Sequence, residues 1–302
     1  MKKTAYFFLC CLYLMACENT QQARLEALKN TIVAEMDMIE GDLSLAFQLV
    51  GNPNEQILIH ETDVFHAAST MKTPVMIEVY KQAALSGASL YDSILVINEF
   101  KSIADGSIYS LSPESDSEQT LYRLVGQKQV LRDIMYKMII ESSNLATNIL
   151  IEKVGAANVN KTMREEIGAP YIEVLRGVED IQAFRQGMNN TTTAYDLMVI
   201  FEKIATGQVV SQEACDDMIA ILGDQKFNEI IPARLPVGIR VAHKTGSITG
   251  VQHDSGIVFL PDGRKYVLVI LSRNLKDPDK AVQKMAHISE LIYHYVNNLG
   301  KM

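Results

Sequence analysis

Only four of the 302 residues are cysteine, and Cys10, Cys11 and Cys17 all lie in or directly after an apolar leader. The first two leave with that leader and Cys17 is expected to be modified, so Cys215 has no partner and no disulfide framework can form. In "SQEACDDM" it reads as a small helix residue without chemistry. A chain of this length buries enough core to stand without cross-links, in one large domain or two intimately packed ones. Long basic runs are also missing, and a formal net charge of −8 argues against a nucleic-acid partner. The six histidines are scattered, with no His-Glu-x-x-His and no close Cys/His cluster, so no metal and no cofactor is expected. His287 and His294 share at most a helical face. There is no internal repeat and no low-complexity tract.

What is present begins with Lys2 and Lys3, which precede an apolar stretch from Ala5 to Ala16 ending in "LMAC". This is the pattern of a signal peptide over residues 1–16, too short to stay in a bilayer as a spanning helix. Ala16 before Cys17 resembles the bacterial lipoprotein cleavage box, although Met15 is not its most usual residue. Cys17 is then expected to carry lipid and to anchor the chain in the cell envelope, facing the periplasm or the surface. An ordinary secretory signal is the alternative.

Beyond the polar tether "ENTQQ", residues 23–38 return apolar side chains every three or four positions, which predicts an amphipathic helix. "LSLAFQLV" and "QILIH" predict two strands joined at "GNPNE". From Met71 to about residue 222 the pattern is mostly helical, with loops at "SLSPESDSEQ" and "FRQGMNNTTT". Strands return at "IRVAHKTG", "HDSGIVFL" and "KYVLVILSRN", the last two linked by the hairpin signal "PDGR", before a closing helix from about Asp279 to Asn298. The expected class is α+β: an antiparallel sheet built from both termini and flanked by helices, plus a mostly helical lobe. Residues 17–62 and 222–302 form the α/β lobe in this reading, and residues 63–221 the helical one. The cleft between lobes is the natural site.

"HAASTMKTPV" places Ser69 three residues before Lys72. Alone this means little, because Thr73 could cap a helix with Pro74 at its first position and leave Ser69 in the loop before it. Two further elements change the reading: "SSN" from Ser142 to Asn144, in a helical stretch, and "KTG" from Lys244 to Gly246, at the end of a predicted strand. A serine hydroxyl becomes a nucleophile when a base takes its proton, and a lysine one helical turn along lies on the same face. Burial and a second cation such as Lys244 would make the Lys72 ammonium lose its proton more readily. The attacked carbonyl becomes an oxyanion and needs fixed donors.

Taken together and in this order, the three elements resemble class A β-lactamases and the wider superfamily of penicillin-binding serine acyl-enzymes. The resemblance covers essentially the mature chain. A second Ser-x-Asn, Ser272 to Asn274, follows the Lys-Thr-Gly on a strand and fails on order. The resemblance implies the β-lactamase-like fold and an acyl-enzyme on Ser69, with the backbone N–H groups of Ser69 and Ser247 stabilising the oxyanion. It implies that Ser142 relays a proton to the leaving nitrogen and that Asn144 holds the substrate amide and orients Lys72. Lys244, Thr245 and Ser247 would bind the substrate carboxylate, and Gly246 would let the strand approach. His243 alternates to the far side of the strand and reads as structural. Arg273 is a possible further carboxylate ligand or a surface charge, and Tyr109 a possible residue of the cleft mouth.

The chain departs from the class in two places. Ser143 stands where class A has aspartate, so the wider Ser-x-Asn pattern is the better match. In "RGVEDIQAFRQGMNNTTTA", Arg176 and "TTTA" match the ends of the loop that carries the deacylating glutamate, yet Glu179 falls one residue later than expected and Asn190 replaces the aspartate that pairs with the arginine. Glu179 is the candidate base and Asp180 the second, the alternative being a carboxylate that pins the loop to Arg176 or Arg185. The expected function is a monomeric serine β-lactamase-like hydrolase acting on a β-lactam. A D-Ala-D-Ala carboxypeptidase acting on a peptidoglycan stem peptide, another acyl hydrolase, and a lipoprotein that is acylated without turnover are the rivals.

Overall fold

A computed structural model describes residues 21–299. The leader and Cys17 lie outside them. Helix α1 (21–36) precedes strands β1 (Asp42–Leu49) and β2 (Asn52–Ile59), and the chain returns to the same sheet as β3 (Arg240–Ile248), β4 (Val251–Phe259) and β5 (Lys265–Arg273). The sheet is antiparallel in the order β2-β1-β5-β4-β3, so the two ends of the chain meet along β1 and β5, from Asp42 opposite Arg273 to Leu49 opposite Tyr266. The expected α+β class and terminal sheet are therefore found. Every internal position of β1 is buried, which is why "LSLAFQLV" reads as nearly continuous rather than alternating. One face (Leu45, Phe47, Leu268, Ile270) packs on Ile32 of α1 and on Met285, Ile288 and Ile292 of the closing helix (Pro278–Asn298). The other face (Ala46, Val267, Val269, Leu271) packs on the helices of the middle segment.

Those helices are α2 (Lys72–Ser86), α3 (Leu131–Ile140), α4 (Asn144–Val154), α5 (Ala194–Ala205) and α6 (Gln212–Gly223). In α2 nine consecutive residues, Lys72 to Tyr80, are buried, so this helix is surrounded on all sides. Two of the buried side chains are charged, Lys72 and Glu78. The middle segment is less uniformly helical than its sequence predicts. Two- and three-residue ladders join Phe65–His66 to Thr191–Thr192, Ser93–Leu95 to Lys128–Val130 and Phe100–Lys101 to Ile108–Tyr109. Such pairings close loop necks and are too short to leave a period in the sequence. "SSN" is also not inside one continuous helix, for its two serines precede α4 and only Asn144 belongs to it. It forms the break between α3 and α4, with Ser142 left-handed at φ 56° and Ser143 as the N-cap, its hydroxyl accepting from Ala146 N (3.2 Å).

Candidate active site

Thr73 does not cap the helix, so the alternative that leaves Ser69 in a loop before such a cap is not found. A 3₁₀ turn, Ala68–Met71, runs straight into α2, and Met71 is the N-cap without a side-chain bond, so Thr73 is already a buried helix residue. The turn places Ser69 half-buried in the cleft between helices and sheet. Ala68 before it has φ 45°. Gly246 of β3 packs against this turn so closely that a Cβ there would lie 3.1 Å from Ser69 N and 3.2 Å from Ala68 Cβ. A side chain here would press on the turn, and glycine lets strand and turn approach without that push. The Ser69 N–H thereby faces the strand that carries Ser247.

Lys72 is completely buried. Its Nζ meets the Ser142 carbonyl (2.6 Å), Ser142 Oγ (3.1 Å) and Asn144 Oδ1 (3.1 Å), and no hydrogen bond joins it to Ser69 Oγ among the described residues. The left-handed backbone of Ser142 is what turns both its carbonyl and its hydroxyl towards one amine. Burial pushes the Lys72 ammonium down to about 7, opposed by the negative charge of Asp116. Lys244 is equally buried, and its Nζ donates to Ser142 Oγ (3.2 Å) and to the Thr245 carbonyl (2.9 Å). Its proton affinity is lowered first by burial and then by Lys72, while Asp254 opposes. The second-cation effect expected on Lys72 is thus felt on Lys244. When Lys72 is neutral its lone pair can accept from Ser142 O–H, which in turn accepts from Lys244, giving a continuous proton path.

The loop "SLSPESDSEQ" supplies residues that the sequence did not single out. Asp116 is buried, and its carboxylate accepts from Asn144 N (3.0 and 2.9 Å), Leu145 N (3.0 Å) and Tyr122 Oη (2.9 Å), with Ser143 Oγ at 3.5 Å. A carboxylate on the first N–H groups of α4 offsets the helix dipole and fixes the Ser142–Asn144 turn. The missing acid of the Ser-x-Asn segment is therefore replaced from a distant loop. Glu118 anchors that loop through Lys137 Nζ (2.9 Å) and Thr120 N (2.8 Å).

Glu179 is half-buried on the opposite wall, at φ 62°, and its Oε1 accepts from Ser115 Oγ (2.9 Å). No ion pair joins it to Arg176 or Arg185 among the described residues. Asp180 does not face the cleft. It caps the short helix Ile181–Arg185 (Ala183 N, 3.1 Å) and binds Ser102 Oγ (2.7 Å) and Ile103 N (3.0 Å). Asn190 pairs with the Arg176 backbone rather than its guanidinium, accepting from Arg176 N (3.0 Å) and donating to Arg176 O (3.0 Å). Tyr109 does not line the mouth. It lies beneath the loop with its hydroxyl 3.4 Å from Asn148 Nδ2, where Asn148 also holds Val178 N (2.6 Å) and Val178 O (3.0 Å). Arg273 is turned away from the site, bonded to Asp42 (3.0 Å) and Val64 O (2.8 Å). His243 lies behind β3 between Asp254 Oδ1 (2.8 Å) and Asn228 Oδ1 (3.2 Å).

Two hollows flank Ser69. One, of about 500 Å³, is lined by Glu179, Ile181, Phe184 and Ile248. The other, of about 510 Å³, is lined by Ser142, Phe227, Glu229 and Thr245. Ser69, Ser115, Asn144 and Ser247 border both. A third hollow, of about 520 Å³ around Val79, Leu85 and Leu131, touches none of these residues.

The sequence model of the Beta-lactamase enzyme family matches residues 26–296. A beta-lactamase of Bacteroides uniformis is 28% identical over 182 residues, which cover 54% of this chain and 59% of that protein's length. The solved beta-lactamase of Sphaerobacter thermophilus superposes with a TM-score of 0.75 at 26% identity, covering 90% of this chain and 97% of that one. A variant of PBP-A, solved as an acyl-enzyme complex with penicillin G, gives a TM-score of 0.75 at 25% identity over 91% and 97%.

Proposed function

Because this chain belongs to the Beta-lactamase enzyme family, we propose that it opens β-lactam rings by forming and then hydrolysing an ester on Ser69. Neutral Lys72 takes the Ser69 proton after a rotation of the hydroxyl about χ1, and the oxygen attacks the lactam carbonyl. The Ser69 and Ser247 N–H groups receive the oxyanion. As the carbon–nitrogen bond breaks, the proton passes from Lys72 through Ser142 to the nitrogen, while Lys244 holds the Ser142 oxygen. Thr245 and Ser247 bind the substrate carboxylate as neutral donors; Lys244, fully buried against Ser142, acts on it through its charge. Glu179 then draws a proton from a water that adds to the ester, releasing the acid and restoring Ser69.

The observation that carries this reading is the buried chain from Lys244 through Ser142 to Lys72, one turn from Ser69. The likeness to the PBP-A complex supports acylation by penicillin. Time-resolved intact mass during brief exposure to penicillin tests it: a transient adduct is expected in the wild type, and no adduct at all would end the acyl reading. A permanent wild-type adduct would instead favour a penicillin-binding sensor. The tie between Glu179 and Ser115 supports that second reading, since a base already engaged must be released to serve water. We also propose that Cys17 carries lipid and holds a monomer in the envelope. The leader supports this, and among the described residues no helix is long and apolar enough to cross a membrane. Metabolic labelling with a fatty-acid probe, lost in Cys17→Ser, is the expected outcome.

A further inference from the structure

Three bonds hold the residues that precede the nucleophile. Ala67 N–H donates to the Asn190 carbonyl (2.8 Å), His253 Nε2 meets the His66 carbonyl (2.9 Å), and Ala68 N–H donates to His66 Nδ1 (3.0 Å). The last of these closes on a strained residue. Ala68 at φ 45° costs on the order of 1–3 kcal/mol, which persists only where neighbours over-determine the backbone. A ring nitrogen that accepts a hydrogen bond carries no hydrogen, so His66 is neutral with its hydrogen on Nε2. That Nε2 is buried and has no partner among the described residues. A second proton on the ring would turn Nδ1 from acceptor into donor and set it against Ala68 N–H.

The charged and titratable groups around the ring are few. Arg176 and Glu179 border the same hollow, Phe184 meets the ring edge-on at 6.4 Å, and His253 lies beneath. Glu179 is engaged by Ser115, and burial pushes His253 down to about 4. Arg176 remains. Its guanidinium donates to Met188 O (3.0 Å), Gly177 O (3.0 Å) and Asn189 Oδ1 (3.4 Å), none of them a carboxylate, feels the negative charge of Asp180 without a hydrogen bond to it, and sits 5.5 Å from the centre of the same Phe184 ring. Burial, then the Arg176 charge, lowers the proton affinity of His66.

We propose that His66 is a positioning residue for Ser69: its imidazole, accepting at Nδ1, holds the Ala68 N–H, and with it the turn that presents the nucleophile, with the Arg176 guanidinium on the shared Phe184 ring as its charged neighbour. The proposal rests on Ser69 being the nucleophile, so its first test needs no substrate. Nitrogen-15 NMR of histidine-labelled protein is expected to show the Nε2–H tautomer of His66 at neutral pH, with a midpoint that rises in Arg176→Gln. The Nδ1–H tautomer, or a midpoint unmoved by that change, would overturn it. Penicillin adducts that fail to form in the wild type would count against Ser69 alone. The second test is the acylation rate. His66→Phe is expected to slow it about tenfold, the worth of a lost hydrogen bond. His66→Asn, whose Oδ1 can replace Nδ1, should restore most of it and abolish the extra steepening of the acid limb that His66 protonation adds to that of Lys72. Equal loss in both variants, with the steepening retained in the Asn variant, would refute the positioning role.

Discussion

The two halves of the site are built differently. The half proposed to acylate, Ser69, Lys72, Ser142 and Lys244, stands on a central helix, a helix break and a sheet strand, and its amines are fully buried among several partners each. The hydrolytic half is one glutamate on a loop, half-buried, left-handed at φ 62° and held through its carboxylate by one serine. Rigid elements hold a reacting geometry more closely than a loop does. On the proposed mechanism, forming the ester is therefore the robust step and hydrolysing it the adjustable one.

The largest break in that contrast is Ser69→Ala, which should abolish the penicillin adduct by intact mass while leaving the fold intact by circular dichroism; an adduct in that variant would remove the nucleophile. Lys72→Met comes next, with acylation slower by about 10²–10⁴-fold, the range for losing a positioned base. In the wild type only neutral Lys72 serves as base, so the acylation rate should climb as pH passes about 7 and then level. The linkage has a definite sign. The folded state binds this proton less tightly than the unfolded chain, so the group's contribution to stability rises with pH from about 7 towards 10.5 and is least below that window. Lys72→Met should accordingly melt higher than the wild type at pH 6, by several degrees. A lower melting point would contradict the burial of the amine.

Glu179→Gln tests the other half: acylation should stay within about threefold while the adduct persists, because only the later step uses the carboxylate. If the adduct clears as fast as in the wild type, the base lies elsewhere. Asp116→Asn is expected to slow acylation about tenfold, since a neutral amide loses charge-assisted bonds to the first N–H groups of α4. Unchanged single-turnover kinetics would make Asp116 merely a loop anchor. The smallest effect belongs to Ser115→Ala. Freed of that donor, Glu179 should change the deacylation rate by only a few fold, and acylation not at all.

Much of the first half was legible, and little of the second. Ser69, Lys72, Ser142 and Lys244 could be read because each sits in a short local motif whose residue types the chemistry demands, and the sheet because its strands are buried runs between turn signals. The break at Ser142 was hidden, since apolar periodicity continues from α3 into α4 and nothing local marks a left-handed serine. Asp116 was hidden for a different reason. Its partners lie 28 and 29 positions away in a loop without period, and a carboxylate among serines resembles any solvated turn. The empty aspartate position at Ser143 was the available signal, for a helix start that lacks its acid invites one from elsewhere. His66 gave no signal, because a single histidine beside alanines is uninformative without the backbone it serves.

The pairing of β1 with β5 also dictates when this molecule can come into being. Asp42 must find Arg273 and Leu49 must find Tyr266, so the central rung of the scaffold closes only once a strand 231 positions further along has been made. Until then β1 has β2 on one edge only and its other edge stays unpaired, so the nascent product is open to holding factors and proteases. Assembly of the cleft is thus timed by the synthesis of β5 rather than by the first appearance of Ser69.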